Sequence, residues 1–301
     1  MSLFLGIDTS NYTTSIALCG DNEINIKEII DVKEGMRGIR QSDGVFIHLK
    51  TLPRLYDNLN IDFNMIKAVG VSTCPRPVPG SYMPVFTAGE SFAKVIAKTL
   101  NVPLFTTSHQ DGHIMAGIMS QNAYELLDEP FYAVHLSGGT SEILSCQYKN
   151  GNFNAKIIGG TLDISAGQLI DRVGVKLGLK FPCGKELDKL SSSCNTPKKI
   201  KISTKDGFFN LSGAEAQLLS MVETESVDFI AKTALDAVAR TITKALNNMN
   251  CKNILFVGGV SSNSYIRKYF TDKIDTNLYF ATPELSCDNA MGVAKLCQLN
   301  I

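Results

Sequence analysis

Excess charge of either sign is missing from this sequence: Lys plus Arg and Asp plus Glu number 29 each over 301 residues. No global positive field therefore draws the chain to nucleic acid or to an anionic membrane, although a local basic patch stays open. The eight cysteines form no CxxC pair and lie far apart, which excludes a dense disulfide framework and reads as reduced, mostly buried thiols. The first residues lack the basic start and long apolar stretch of a signal peptide, and no segment is long and apolar enough to span a bilayer. The expectation is a cytoplasmic protein with no membrane partner. With 44% apolar and 19% charged residues there is ample material for a core and nothing that reads as disordered. A chain of this length suits two lobes of ordinary size.

The pattern along the chain supports that division. Residues 3 to 7 are an apolar run, a polar turn follows from Asp8 to Tyr12, and Thr13 to Leu18 resumes alternation, which predicts two antiparallel strands around a turn able to hold phosphate. The same grammar returns in residues 131 to 146, where the turn is Ser137-Gly138-Gly139-Thr140-Ser141. Residues 66 to 75 and 252 to 263 repeat a second theme, a buried strand running into a small-residue turn and then a helix. Between them, residues 227 to 249 trace one apolar helical face and predict a core helix. Residues 191 to 206 are Ser-rich and then Lys-rich, and predict an exposed loop with one strand, more readily a solvated surface than a nucleic-acid contact.

Two of the chain's four histidines, His109 and His113, stand four residues apart behind Thr106, Thr107 and Ser108, which can cap a helix start. That spacing stacks both imidazoles on one helix face, as binding one metal ion requires. A zinc-protease reading fails, because Gln110 stands where HExxH needs its general base. A carboxylate from elsewhere is needed to complete a metal site. Asp288 is the candidate, with a helix N-cap as its other reading. Gly138, Gly139, Gly258 and Gly259 follow predicted strands, where bare backbone N–H groups could approach a phosphate, and Asn263 follows closely enough to bond a ligand there. Asp171, in a segment that leads to Gly184, could bind a ribose diol or pair with Arg172.

Taken in order, these pieces resemble the tRNA threonylcarbamoyladenosine transferase family (TsaD, formerly called Gcp or O-sialoglycoprotein endopeptidase), from residue 3 to about residue 297. The opening Gly6 to Ser10, the HxxxH of His109 and His113, the Asp of an Asp-Asn motif at Asp288, the loop His135-Leu136-Ser137-Gly138-Gly139, Asp171, Gly184 and the Gly258-Gly259 loop ending at Asn263 carry the likeness. It implies an α/β, actin-like ATPase fold with two ribonuclease-H-like lobes around a nucleotide and metal cleft. The first lobe is expected over 1–115, with a C-terminal helix (289–301) packing back on it, and the second over 116–288.

The resemblance also implies one divalent metal, Fe or Zn, on His109, His113 and Asp288. Asp8 would line the cleft as a fourth catalytic residue, and an adenylate or ATP/AMP-type nucleotide would lie on the glycine loops. Transfer from threonylcarbamoyl-adenylate to tRNA, helped by accessory subunits and as a homodimer or heterodimer, is the implied activity. The chain departs from the family at Asn11, Tyr12 and Thr13, the last two standing where the family has two carboxylates; at Cys74 to Ser81; at Ile164 and Gln168; and at Glu215, which stands where the family has Lys. These departures leave open a carbamoyltransferase with a non-tRNA acceptor and a non-catalytic paralogue that partners a true family enzyme, with a nucleotide-dependent kinase as a more distant reading.

Overall fold

The computed structural model describes residues 2–10, 12–31, 39–247, 249–287 and 289–301. In chain order the elements are β1 (Leu3–Ser10), β2 (Thr13–Gly20), β3 (Ile24–Ile29), α1 (Gln41–Asp57), β4 (Ile66–Cys74), α2 (Phe86–Leu100), β5 (Leu104–Ser108) and α3 (His109–Ser120). There follow β6 (Phe131–Leu136), β7 (Ser141–Lys149), β8 (Asn152–Thr161), α4 (Ala166–Lys176), α5 (Gly184–Ser191), β9 (Ser203–Lys205), β10 (Phe208–Asn210), α6 (Ser212–Ser220) and α7 (Val227–Leu246). The chain ends with β11 (Asn253–Val257), α8 (Ser264–Lys273), β12 (Asn277–Phe280), α9 (Pro283–Ser286) and α10 (Met291–Leu299). It divides into two compact units, one of Met1–Tyr124, Tyr148–Asn154 and Cys287–Ile301, the other of Glu125–Gln147 and Ala155–Ser286.

The first unit is built on a five-stranded sheet in the order β3-β2-β1-β4-β5. β1 pairs antiparallel with β2 and parallel with β4, and β4 pairs parallel with β5. β1 is buried along almost its whole length, the behaviour of a central strand covered on both faces. Leu5, Ile7, Ile16, Leu18 and Val69 join Leu52 and Leu55 of α1 and Ala93 of α2 in one core. β1 runs through Asp8, Thr9 and Ser10, so these residues are strand rather than turn, and Asn11 lies outside the described residues.

On the sheet's other face α10 packs against β1, β4 and α3, and glycines permit the close approach. A Cβ at Gly70 of β4 would press on Cys297, and one at Gly292 of α10 would collide with the carbonyl oxygen of Gly112 in α3. Gly112, between the two histidines, is thus a packing residue.

The second unit repeats the plan. Within its seven-stranded sheet, ordered β12-β11-β6-β7-β8-β10-β9, β6 pairs antiparallel with β7 and parallel with β11, and β11 pairs parallel with β12. This reproduces the roles of β1, β2, β4 and β5. α7 fills the core from Ile230 to Leu246, as its apolar face predicts, although Val227 at its start is exposed. No helix among the described residues is long and apolar enough to cross a membrane.

Candidate functional site

In the first unit the sequence builds a helix start at the end of β5. Ser108 is the N-cap of α3: its Oγ accepts from the Asp111 N–H at 3.1 Å, and Asp111 accepts in return from the Ser108 N–H at 3.3 Å and from the Ser108 hydroxyl at 2.7 Å. The arrangement is a capping box with Asp in the position usually held by Glu or Gln. Burial raises the Asp111 pKa against the bonds from Ser108, Phe153 and Thr107. Thr107 Oγ1 also donates to Asn152 Oδ1 at 2.7 Å, and the Gln110 N–H donates to the Pro75 carbonyl at 3.0 Å. The first turn of α3 is therefore tied both to the loop after β4 and to the 148–154 segment.

This start presents His109 and His113 together, with Nε2 facing Nε2 at 3.0 Å and ring centroids 4.4 Å apart. Behind them lies Asp8, fully buried. Its Oδ1 is 3.0 Å from His109 Nδ1 and accepts from the Ser72 hydroxyl, while Oδ2 accepts from the Ser10 N–H at 3.3 Å. A carboxylate only accepts, so Nδ1 of His109 carries the proton and its Nε2 lone pair points at His113. Two nitrogens bound at about 2.1 Å to one ion lie roughly 3.0 to 3.4 Å apart at right or tetrahedral angles, so the pair fits a shared metal ion. Among the described residues no group of three or more His, Cys, Asp or Glu forms a metal cluster; Asp288 lies outside the described residues.

On the opposite sheet face Thr14 Oγ1 lies 2.8 Å from Nδ1 of His48, a fully buried histidine of α1 whose Nε2 has no hydrogen-bond partner among the described residues. Burial lowers the His48 pKa to about 4, offset only in part by the charge of Asp8. No motif in the sequence marked His48.

In the second unit the glycine turns converge. A Cβ at Gly258, where φ is +91°, would strike the Leu136 carbonyl and the His135 ring, and one at Gly167 would meet Ser137 and Gly138. The end of β6, the start of α4 and the end of β11 are therefore in contact. By contrast, a Cβ at Gly138, Gly139, Gly184 or Gly259 meets nothing within 4 Å, so these backbones border open space. The side chain of Leu136 is in the core, which leaves only its backbone to face a ligand. Asn263 is the N-cap of α8, accepting from the Ile266 N–H at 3.0 Å, which leaves its amide donors as what it could offer.

Asp171 accepts from the Cys183 N–H at 2.8 Å, joining α4 to the turn before Gly184, and burial raises its pKa despite that bond. Its neighbour Arg172 pairs with Glu215 at 3.3 Å. Asp163 accepts from the N–H groups of Ile164, Leu211 and Ser212 and from the Ser212 hydroxyl. Burial alone would raise its pKa, but these bonds, led by the Ser212 hydroxyl, hold it well below the usual carboxylate range. It acts as a brace between the starts of α4 and α6.

Two sheets of this order, each with helices on its faces, define an actin-like ATPase fold. Solved structures agree on the fold. HypF of T. kodakarensis aligns over 99% of this chain and 48% of that one (TM-score 0.63, 13% identity). Component A of the (R)-2-hydroxyglutaryl-CoA dehydratase of Acidaminococcus fermentans aligns over 98% of this chain and 96% of that one (TM-score 0.57, 15% identity). A family model described as tRNA N6-adenosine threonylcarbamoyltransferase matches residues 47–295, and the chain belongs to that family of tRNA-modifying transferases. It is 30% identical to the tRNA N6-adenosine threonylcarbamoyltransferase of Fervidobacterium nodosum over 97% of this chain and 91% of that protein. With the protein of the same name from Thermosipho africanus it shares 28% over 97% and 92%.

Proposed function

We propose that this chain moves a threonylcarbamoyl group from threonylcarbamoyl-adenylate to an adenosine amine of tRNA, using one divalent metal, iron or zinc. The observation that carries the metal reading is the Asp8–His109–His113 alignment: a buried carboxylate fixes one ring so that two Nε2 atoms converge. His109 and His113 would hold the ion, with Asp288 as third ligand by likeness to the family. When bound, the metal supplies Lewis-acid stabilisation of charge that grows on carbonyl or phosphate oxygen.

The chain's own residues do the rest. Asp8 orients His109 and keeps its proton on Nδ1. The backbones of His135, Leu136, Ser137, Gly138, Gly139, Gly258 and Gly259, with Asp171, Gly184 and Asn263, would hold the adenylate; the open space beside four of these glycines supports this. The amine nitrogen bonds to the carbamoyl carbon, the bond from that carbon to the phosphate oxygen breaks, AMP leaves, and the amine proton passes to solvent.

The pairing of Arg172 with Glu215 bears on the acceptor. Glu215 would repel tRNA if its charge stood alone, but the adjacent guanidinium offsets it, which weakens the Glu215 part of the case for a non-tRNA acceptor. A separate adenylate-forming enzyme and accessory subunits belong to this reading, as does dimerisation.

The test is reconstitution: metal-loaded protein, fresh threonylcarbamoyl-adenylate and unmodified tRNA, with and without accessory subunits, read by nucleoside mass spectrometry. Threonylcarbamoyladenosine that forms with intact protein and is lost in His109→Ala supports the reading. Adenylate turnover with no tRNA product would transfer it to another acceptor.

A further inference from the structure

The chain has no net charge, yet residues 198 to 205 read Lys-Lys-Ile-Lys-Ile-Ser-Thr-Lys, a local excess of four positive charges with no acid among them. The structure orders them. Ile200 is buried and Ile202 and Thr204 are partly buried, while Lys199, Lys201, Ser203 and Lys205 are exposed. The exposed Lys199, Lys201 and Lys205 thus share the solvent side of a segment that turns at Lys199, where the Ile200 N–H donates to the Lys198 carbonyl at 3.0 Å, and that ends as strand over Ser203–Lys205.

The backbone of this ridge is held at three points. The Lys198 N–H donates to Thr233 Oγ1 at 3.1 Å, and Arg240 Nη2 donates to the Ile200 carbonyl at 2.9 Å. Gln217 clasps Lys201 twice, accepting from its N–H and donating to its carbonyl, each at 3.1 Å. None of the four ammonium groups pairs with a carboxylate among the described residues. β9, the last part of the ridge, is the edge strand of the second unit's sheet. Its neighbour β10 leads directly into Leu211 and Ser212, the residues braced by Asp163.

We propose that Lys199, Lys201 and Lys205, with Lys198 beside them, form a pre-ordered ridge that binds the phosphate backbone of tRNA. This rests on the reading that tRNA is the acceptor. Pre-ordering matters because a lysine run on a mobile loop surrenders chain entropy on binding, whereas here the backbone is already fixed. Phosphate contacts of this kind position the substrate without reading its sequence.

The experiment uses the full chain and a fluorescent tRNA transcript, with binding followed by anisotropy from 50 to 200 mM salt. The ridge variant K199Q/K201Q/K205Q is compared with K67Q/K156Q/K268Q, which removes the same charge from exposed lysines elsewhere, and circular dichroism checks that each folds. Loss of three phosphate contacts lowers the salt slope by roughly 2 to 3, so wild-type affinity should fall roughly 15- to 60-fold more than that of the ridge variant over this range. The control should keep the wild-type slope.

Equal behaviour of the two variants overturns the proposal, as does a wild-type chain that binds no tRNA. Unchanged binding with new aggregation in the ridge variant would also overturn it, assigning the lysines to protection of a sheet edge. The modification assay separates the two readings. Product formation with unaltered binding by the ridge variant sinks the ridge alone, and ridge-dependent binding without product sinks the transfer reading alone.

Discussion

Asp8 and His109 are 101 positions apart in sequence, and their side chains meet at 3.0 Å with the carboxylate fully buried. On the proposed metal reading the pair would make β1 part of the site: the strand sets the proton on the ring, and the ring sets the direction of the lone pair. Asp8→Asn keeps the size but offers an amide that can turn either end to the ring, so the tautomer is no longer imposed. Partners of this type contribute about 10- to 100-fold in metal affinity. The expected result is a loss of that size in a competitive metal titration with the fold retained; unaltered affinity would remove Asp8 from this role.

His48 makes stability depend on pH. Its pKa is about 4 in the folded protein against 6.5 for the ordinary group, so below pH 6.5 the unfolded chain takes up a proton that the folded chain refuses. The unfolded state binds more protons, so stability rises with pH across this window and is lost as pH falls from about 6.5 to 4. The full loss is about 3 kcal/mol, since each pH step between the two values costs about 1.4 kcal/mol. Urea unfolding between pH 4 and 8 should show this slope in the wild type, and His48→Asn should flatten it by that amount. Parallel profiles for the two proteins would show that His48 takes no part.

Much of this architecture is legible in the sequence alone. Apolar runs and alternation around two polar turns locate β1, β2, β6 and β7, and the repeated strand-to-turn themes at β4 and β11 anticipate two similar halves. The i, i+4 spacing brings His109 and His113 together because helical geometry is local. What escapes is long-range. Nothing in the sequence says that Asp8 faces His109 or that Gly112 admits Gly292. Asp163 carries no motif in the sequence, yet it braces α4 and α6 by accepting from the N–H groups of Ile164, Leu211 and Ser212 and from the Ser212 hydroxyl. Its partners Leu211 and Ser212 lie 48 and 49 residues away, beyond any periodicity.

The Arg172–Glu215 pair predicts a mutational cycle. Arg172 is half exposed, and pairs of this kind contribute about 0 to 1 kcal/mol, so Arg172→Ala should scarcely move the unfolding midpoint. It should nevertheless weaken tRNA binding several-fold at low salt, because it leaves Glu215 uncompensated and removes a cation. Arg172→Ala combined with Glu215→Ala restores the local balance and should recover most of the loss. If the double variant binds tRNA no better than Arg172→Ala, the neutralising role of Arg172 is wrong.

The glycines of the second unit separate packing from ligand contact. Gly167 is the second residue of α4, and its added Cβ would fall 2.5 Å from both the Cα of Gly138 and the carbonyl oxygen of Ser137. Backbone cannot swing aside as a flexible side chain does, so Gly167→Ala should cost about 1 to 2 kcal/mol, the overpacking penalty exceeding the gain in helix propensity. At Gly138 a methyl group meets only open space, and Gly138→Ala should leave stability within about 0.5 kcal/mol of wild type. If that space receives the phosphate of an adenylate, the same methyl must lower nucleotide affinity by roughly tenfold or more, since the close backbone approach that the glycine permits is lost. Calorimetric titration with AMP alongside thermal unfolding distinguishes the cases. A Gly138→Ala protein that is stable and binds AMP normally would move the nucleotide away from the β6–β7 turn, whereas stable but non-binding protein would fix it there.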